Sequence, residues 1–314
     1  MKSEIVQYDR KHLEGMCRLY NDQTAFEPYV APLTPERFVQ FVESRSAFDP
    51  AGLLVAVEGG GVIGWVHAAI AHPTEAYQKP EAVVAEIEML HFPRERLDVG
   101  NALVAEATAW LKKCRQPKLL AMHCAMGYPF YRGLWMGGEP MGTVGLPHVQ
   151  LAFEVGGYKN THESVFLTAE MSARPAEQPT AEPIEVVDAA AEMAHAPMAE
   201  SWQGFRPQTS TGYIAGKKVA QIGWTLLPQL AERLGRPAMT IWSLGVNQDQ
   251  RRKGFGAALV ARALRNAYDA GARFACLGTQ LWNAPAQAAY AKFGFVPHCI
   301  LVGRTLDLAA AKTQ

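Results

Sequence analysis

Ser243-Leu-Gly-Val-Asn-Gln-Asp-Gln-Arg-Arg-Lys-Gly-Phe-Gly-Ala-Ala-Leu-Val260 decides how this chain reads. An apolar run ends at Val246, basic residues and glycines follow, and Leu259, Val260, Ala263, Leu264 and Ala267 then recur at helical spacing. The order is strand, turn, helix, with the helix expected over Phe255 to Ala270 and stopped by Gly271. Amides at a helix start lack partners within the helix, the helix dipole adds positive potential there, and Gly254 and Gly256 let the backbone approach a ligand closely. Arg251, Arg252 and Lys253 bring charge to the same turn, and arginine grips phosphate oxygens through two parallel hydrogen bonds. Such a turn is an anion receptor suited to the pyrophosphate of a nucleotide or of coenzyme A. A solvated basic turn is the alternative reading of these residues taken alone.

Outward from this segment the pattern extends both ways. Downstream, Ala275 to Thr279 reads as a strand and Ala284 to Lys292 as a helix ending before Gly294. Upstream, Met239 to Val246 reads as a strand, preceded by a hairpin in which Gly212 to Ala215 turns at Gly216 to Lys218 into Val219 to Leu227. The first half repeats this order: Leu53 to Val57, a turn at Glu58 to Gly61, Val62 to Ile70, then a strand from Val84 to Phe92 and a turn into a helix. Both hairpins contain Ile-Gly-Trp, at Ile63-Gly64-Trp65 and Ile222-Gly223-Trp224, so the chain reads as an internal duplication. Strand, helix, strand, helix requires crossover connections and at least one parallel pair, while the hairpins are antiparallel. The fold class is α/β: two tandem units, each a mixed, mostly antiparallel sheet with one parallel pair, flanked by helices.

At 314 residues the chain exceeds the usual single-domain size, which favours two domains of roughly 150 residues. The stretch Ser172 to Pro183 carries three prolines among small and polar residues and resists both helix and sheet, so it reads as an interdomain linker between residues 1–171 and 184–314. Hydrophobic residues make up 49% and charged residues 19%, as in a globular rather than a disordered protein. Thirty basic residues balance thirty acidic ones, so no global field recruits nucleic acid or an anionic membrane and any anion site is local. No apolar leader and no run of about 18 apolar residues appears, and the expected location is the cytoplasm. Cys17, Cys114, Cys124, Cys276 and Cys299 are scattered without metal or disulfide spacing, and the histidines form no ligand motif. We expect buried cysteines and no structural metal.

A second motif follows the first. In Asn283-Ala-Pro-Ala-Gln-Ala-Ala-Tyr-Ala-Lys-Phe-Gly-Phe295, an asparagine at a strand end precedes a helix that carries Tyr290 about two turns on and closes at Gly294. Read singly, Asn283 is also a helix cap and Tyr290 also a core aromatic. Together the two segments make Met239 to Val296 resemble the GNAT acyltransferase superfamily. Its Arg/Gln-x-x-Gly-x-Gly/Ala motif is met by Arg251, Gly254 and Gly256, and its Asn-helix-Tyr-Gly-Phe unit by Asn283, Tyr290, Gly294 and Phe295.

The resemblance implies acyl-CoA, with acetyl-CoA the expected donor, in a cleft where two parallel strands splay. Backbone groups of Leu244, Gly245 and Val246 would pair with pantetheine, and the amides from Arg251, Arg252, Lys253, Gly254, Phe255, Gly256 and Ala257 would hold the pyrophosphate. Asn283 would meet the pantetheine arm and Tyr290 would protonate the leaving thiolate. The acceptor implied is a primary amine of a small molecule or peptide, attacking directly because acyl transfer from a thioester needs orientation more than a covalent enzyme intermediate. Many relatives carry a glutamate on the strand before the turn, whereas Met239 to Val246 has no carboxylate. That gap keeps a catalytically idle CoA-binding or scaffold protein as the rival reading.

The first half is a degenerate copy. Aligning Phe92 with Val246 sets Leu97, Gly100 and Ala102 against Arg251, Gly254 and Gly256, and Phe153 falls where Tyr290 stands. The basic residues are lost and Asp98 puts negative charge at the turn. Its extra loop, Gly127 to Pro140, is dense in glycine and aromatics and either covers an acceptor cleft or packs between the halves. Trp224, Trp242 and Trp282 are expected to pack rather than to carry an acceptor, and Cys276 to lie in the core. Only residues 184 to 211 precede the second hairpin, room for one strand and one helix, so the first half is expected to complete the acceptor site of the second.

Overall fold

The computed structural model describes residues 3–71, 83–123, 130–138, 142, 145–192 and 196–309. The first half supplies strands β1 (Glu4–Gln7), β2 (Leu53–Glu58), β3 (Gly61–Ala71), β4 (Val84–His91), β5 (Lys118–Ala121) and β6 (Lys159–Glu170). Its helices are α1 (Leu13–Thr24), α2 (Pro35–Phe38), α3 (Leu97–Leu111) and α4 (Pro147–Val155). The second half supplies β7 (Glu185–Ala190), β8 (Gln208–Ile214), β9 (Lys217–Leu227), β10 (Ala238–Val246), β11 (Phe274–Gln280) and β12 (Val296–Asp307). With them come α5 (Ala196–Ser201), α6 (Ala231–Leu234), α7 (Phe255–Asp269) and α8 (Ala284–Ala291).

The strands form not two sheets but one of twelve strands, in the order β1-β2-β3-β4-β5-β12-β6-β11-β10-β9-β8-β7. Each half lays down its first five strands in sequence and then receives the last strand of the other half. β12 runs antiparallel to β5 and β6, and β6 antiparallel to β11. The expectation of one sheet per half is corrected in that respect. The physical reason is that β6 alternates between two cores. Val165, Leu167, Ala169 and Met171 join the core under α7, whereas Phe166 joins the core of the first half. The first-half core also takes in Leu227, Ala238, Cys276 and Leu301 from the second half, so one apolar layer is continuous across the junction.

Among the described strands only β4–β5 and β10–β11 are parallel, and both pairs are short. β10 pairs with β11 from Ala238↔Phe274 to Thr240↔Cys276; beyond that, β10 follows β9 and β11 follows β6. The two strands therefore splay at their C-terminal ends. A β-bulge sits at the opening, where Ile241 opposes Trp224 and Ser243 opposes Gly223, leaving Trp242 as the extra residue. Gly223 is glycine because the Trp242 indole lies on it: a Cβ there would come within 2.3 Å of the ring. The same bulge recurs in the first half at Glu88, between Ile87 and Met89.

The duplication also shows in the closing helix of each half. Phe153 meets Tyr158 edge-on at 5.7 Å, and Tyr290 meets Phe295 edge-on at 5.7 Å. Residues 171–184 contain neither helix nor strand, and they lie along α7 through ion pairs. Arg174 bonds Asp269 at 2.7 Å, Glu177 pairs with Arg265, and Glu182 with Lys253 at 3.3 Å. Cys17 and Cys276 are buried, Cys114 and Cys299 half-buried, and Cys124 lies outside the described residues. No described helix is long and apolar enough to cross a membrane.

Candidate acyl-transfer site

The turn that the sequence singles out becomes a short 3₁₀ segment, Gln248–Gln250, followed by an open stretch that ends at Gly254, the N-cap of α7. Gly254 adopts φ +88° and Arg252 φ +64°, a left-handed pair that turns successive amides toward one side. The sequence puts no Ser, Thr, Asp or Asn at the cap, and no side chain caps α7. Its first amides are thereby left to a ligand. Arg251 and Arg252 are exposed, with Nε of Arg251 donating to the Val246 carbonyl at 3.3 Å. Lys253 instead points to the extended segment, bonding Gln250 at 2.9 Å and Glu182. The segment crosses directly over the cap: the Ala181 amide donates to the Lys253 carbonyl, and a Cβ on Gly254 would sit 2.6 Å from the Pro179 carbonyl oxygen.

Glu182 thus holds a negative charge beside the anion cradle. Glu182→Gln is expected to tighten the binding of pyrophosphate at this turn several-fold at low salt, with the gain shrinking as ionic strength rises. Calorimetric titration at two salt concentrations checks this.

Above the cradle, Leu244 and Val246 turn their side chains toward the α7 core, and Gly245 has nothing within reach of a Cβ. The β10 edge facing β11 is free of strand partners from Ile241 onward. On the far side, Asn283 caps α8: its Oδ1 accepts from the Ala286 amide at 3.4 Å and its Nδ2 reaches Thr279 Oγ1 at 3.4 Å. Tyr290 lies two turns along α8 with its ring in the α7 core and 6% of its surface exposed. Its hydroxyl has no hydrogen-bond partner among the described residues, and burial pushes its pKa up to about 12. Leu244 to Val246 and Arg251 to Ala257 thus end and follow β10, Asn283 follows the end of its parallel partner β11, and Tyr290 packs into the α7 core.

In the first half the equivalent turn is wound up. α3 starts at Leu97, the residue aligned with Arg251, whereas α7 starts only at Phe255. Gly100 is therefore inside a helix, its amide bonded to the Arg96 carbonyl, with the Phe92 ring packed on its Cα. The Val99 and Gly100 amides both bond the Arg96 carbonyl, so the open stretch that precedes α7 has no counterpart here. Arg96 survives at this turn but is held by Asp98 and Glu58, so the charge at Asp98 is neutralised rather than bare.

The sequence leads us to expect the extra loop either to cover an acceptor cleft or to pack between the halves; the part played by Trp202 was not legible beforehand. The described part of the extra loop, residues 130–138, is buried between the halves: Gly137 lies against Cys276 and Phe166, and Gly138 against Thr240. It covers the face of β10 and β11 opposite α7. Trp202, from the chain after α5, stacks on Trp242 at 5.5 Å and extends the same cover. Trp224 is buried and Trp242 half-buried, as packing residues would be. Trp282 is a correction: it is 79% exposed, because it stands in the tight turn between β11 and α8, where no core reaches it.

Comparison with known proteins now gives this geometry a family. Residues 170–295 match the acetyltransferase (GNAT) family. The fold of the whole chain is shared with a tandem GNAT protein from the clavulanic acid biosynthesis pathway, at 16% identity and TM-score 0.63 over 98% of this chain and 99% of that one. A GCN5-related N-acetyltransferase from Sphaerobacter thermophilus is similar at 13% identity and TM-score 0.65, covering 98% of this chain and 96% of that one. So is Saccharomyces cerevisiae N-myristoyltransferase with bound myristoyl-CoA, at 12% identity and TM-score 0.57, covering 97% and 78%. No curated protein matches the chain in sequence. Residues 170–295 thus carry a GNAT-family acetyltransferase domain, and the chain as a whole shares the fold of a tandem GNAT protein. In chemical terms that domain is of the acyltransferase class.

Proposed function

We propose that the second half transfers an acetyl group from acetyl-CoA to a primary amine by direct attack, and that residues 1–171 bind no coenzyme and complete the acceptor side. The observation that carries this reading is the open cradle of Arg251 to Ala257 at the mouth of the β10–β11 splay, set against its closed counterpart at Leu97 to Ala102. The residues fit the donor chemically. Free amides and two exposed arginines suit a pyrophosphate. Unpaired backbone groups of Leu244 to Val246 suit the amides of pantetheine.

In the reaction, the neutral amine forms a C–N bond with the thioester carbonyl carbon, the C–S bond breaks, and the electron pair leaves on sulfur. Tyr290 gives its phenolic proton to that sulfur and regains one from solvent; with a pKa of about 12 it stands in the acid form at neutral pH. β10 offers no carboxylate for the amine's proton, but Ser243 and Gly245 are exposed, so water reaches the opening and carries that proton away. A small-molecule or peptide amine in the cytoplasm is the acceptor class this supports.

The test is titration of acetyl-CoA and a non-reactive thioether analogue into the wild type and an Arg251→Ala/Arg252→Ala variant, followed by thiol release with an amine panel. We expect about 10- to 100-fold weaker binding in the variant, from the loss of two charge-assisted contacts at about 1.5–3 kcal/mol at most. No binding by the wild type refutes the reading. Binding without turnover of any amine favours an idle CoA-binding protein.

A further inference from the structure

Arg132 is a cation buried in the junction with no ion pair among the described residues. It is 6% exposed and lies in the loop that covers the β10–β11 face opposite α7. Its Nη1 donates to the Gly138 carbonyl at 3.4 Å, and its plane stacks on the Trp202 ring at 4.4 Å. Its Nε is buried without a partner, and Nη2 makes no hydrogen bond among the described residues. None of the ion pairs among the described residues includes it. The neighbouring charge that it meets is Arg45, of the same sign, whose Nη1 and Nη2 bond the Glu200 carbonyl and Gln203 while its Nε is likewise buried without a partner. The carboxylate of Glu200 is taken by Ser46.

A guanidinium has five donors in a fixed fork, and an unpaired buried cation is costly. Here one donor is used and one face is covered by an aromatic ring. The unused edge is Nε with Nη2, the side that takes a carboxylate through two parallel hydrogen bonds. The residues around it also touch the splay. Trp202, on which Arg132 stacks, stacks in turn on Trp242, the bulged residue at the opening of the splay, and Gly138 rests on Thr240 at the last paired position of β10.

Resting on the acyl-transfer reading above, we propose that the acceptor is an amine bearing a carboxylate, held on the Nε–Nη2 edge of Arg132. Its amine reaches past the Trp202–Trp242 stack to the thioester. Arg132 acts as a specificity determinant and takes no part in proton transfer. The loop that carries it belongs to the first half, so substrate choice in the second half is made by its degenerate copy.

The test uses the full-length protein, acetyl-CoA and three matched series of increasing chain length: ω-amino carboxylates, the corresponding ω-amino amides and the plain alkylamines. Thiol release gives kcat and KM for each. Wild type should prefer carboxylates by about tenfold or more in kcat/KM over the best uncharged analogue, because a site built to bind a charged group rejects compounds lacking it. Arg132→Gln should abolish that preference through KM, leaving kcat for plain amines and the acetyl-CoA Kd unchanged; Arg132→Lys should restore part of it. Thermal melts of both variants check that the junction is intact. Equal wild-type rates for carboxylates and amides, or a preference that survives Arg132→Gln, overturn the inference while leaving acyl transfer standing. Failure of every series with acetyl-CoA bound overturns the acyl-transfer reading and this one with it.

Discussion

Tyr290→Phe should lower kcat by about 10²- to 10⁴-fold, the range supplied by a positioned general acid, with the acetyl-CoA Kd unchanged. The ring of Tyr290 is buried against Phe295 while its hydroxyl has no hydrogen-bond partner among the described residues. Deleting the oxygen leaves the packing nearly as it was, because the swap conserves ring volume and orphans no neighbour. The effect therefore falls on chemistry rather than on fold. The pH dependence has a definite sign. Burial raises the Tyr290 pKa from its ordinary 10.0 to about 12, so the neutral acid is present at every pH below that value and is lost only as pH rises through it. An alkaline limb caused by this residue belongs above about pH 11, and any limb seen nearer neutrality arises from the attacking amine and persists in the Phe variant. Stopped-flow thiol release, with titrations of both proteins, measures all three quantities. Unchanged turnover in Tyr290→Phe would remove the tyrosine from the mechanism.

How far these features could be read beforehand depends on the range of the interactions behind them. The turn at Arg251 to Ala257, the helix from Phe255 and the two hairpins were legible because each is decided within a dozen neighbouring residues by glycine, charge and period. Helix α7 ends within a residue of its expected end, and β2, β3 and β9 fall close to their apolar runs, whereas β8 already begins at Gln208, ahead of the expected Gly212, through polar residues that the apolar signal does not include.

The exchange of β6 and β12 was not legible. Each is an apolar alternation that either half could accept, and the choice of neighbour is made by cores distant in sequence. The closed cradle of the first half was half legible: the missing basic residues were visible, but not that Leu97 to Gly100 would wind into helix once no glycine stood at a left-handed cap. Arg132 was hidden for a different reason. In a loop rich in glycine and aromatics it reads as one more surface cation, and only burial reveals that its fork is unanswered. The segment after Ser172 carried a usable signal, since Arg174, Glu177 and Glu182 each carry the sign opposite to that of their partners Asp269, Arg265 and Lys253.

The strand exchange makes the second large prediction. A fragment of residues 172–314, which contains the whole anion cradle, is expected not to fold. It lacks β6, which fills the sheet between β11 and β12 from Phe274↔Glu170 to Gln280↔Ser164 on one edge and along nearly all of β12 on the other. It also lacks β5, the remaining neighbour of β12. Val165, Leu167 and Met171 leave the α7 core, each at about 1.5–3 kcal/mol of lost burial. Three such losses rival the roughly 5–15 kcal/mol of net stability of a whole domain. Cys276, Ala238 and Leu301 lose their cover on the other face, and β11 becomes a bare edge. We therefore expect an aggregating fragment with no cooperative melt and no acetyl-CoA binding. The same argument predicts rescue. Residues 1–171 supplied as a separate chain bring β5 and β6, so co-expressed halves should co-purify, melt cooperatively and bind acetyl-CoA with near-wild-type Kd. A 172–314 fragment that melts cooperatively by itself would show that the second half does not depend on the borrowed strand, and the first half would then be an accessory to the fold rather than a part of it.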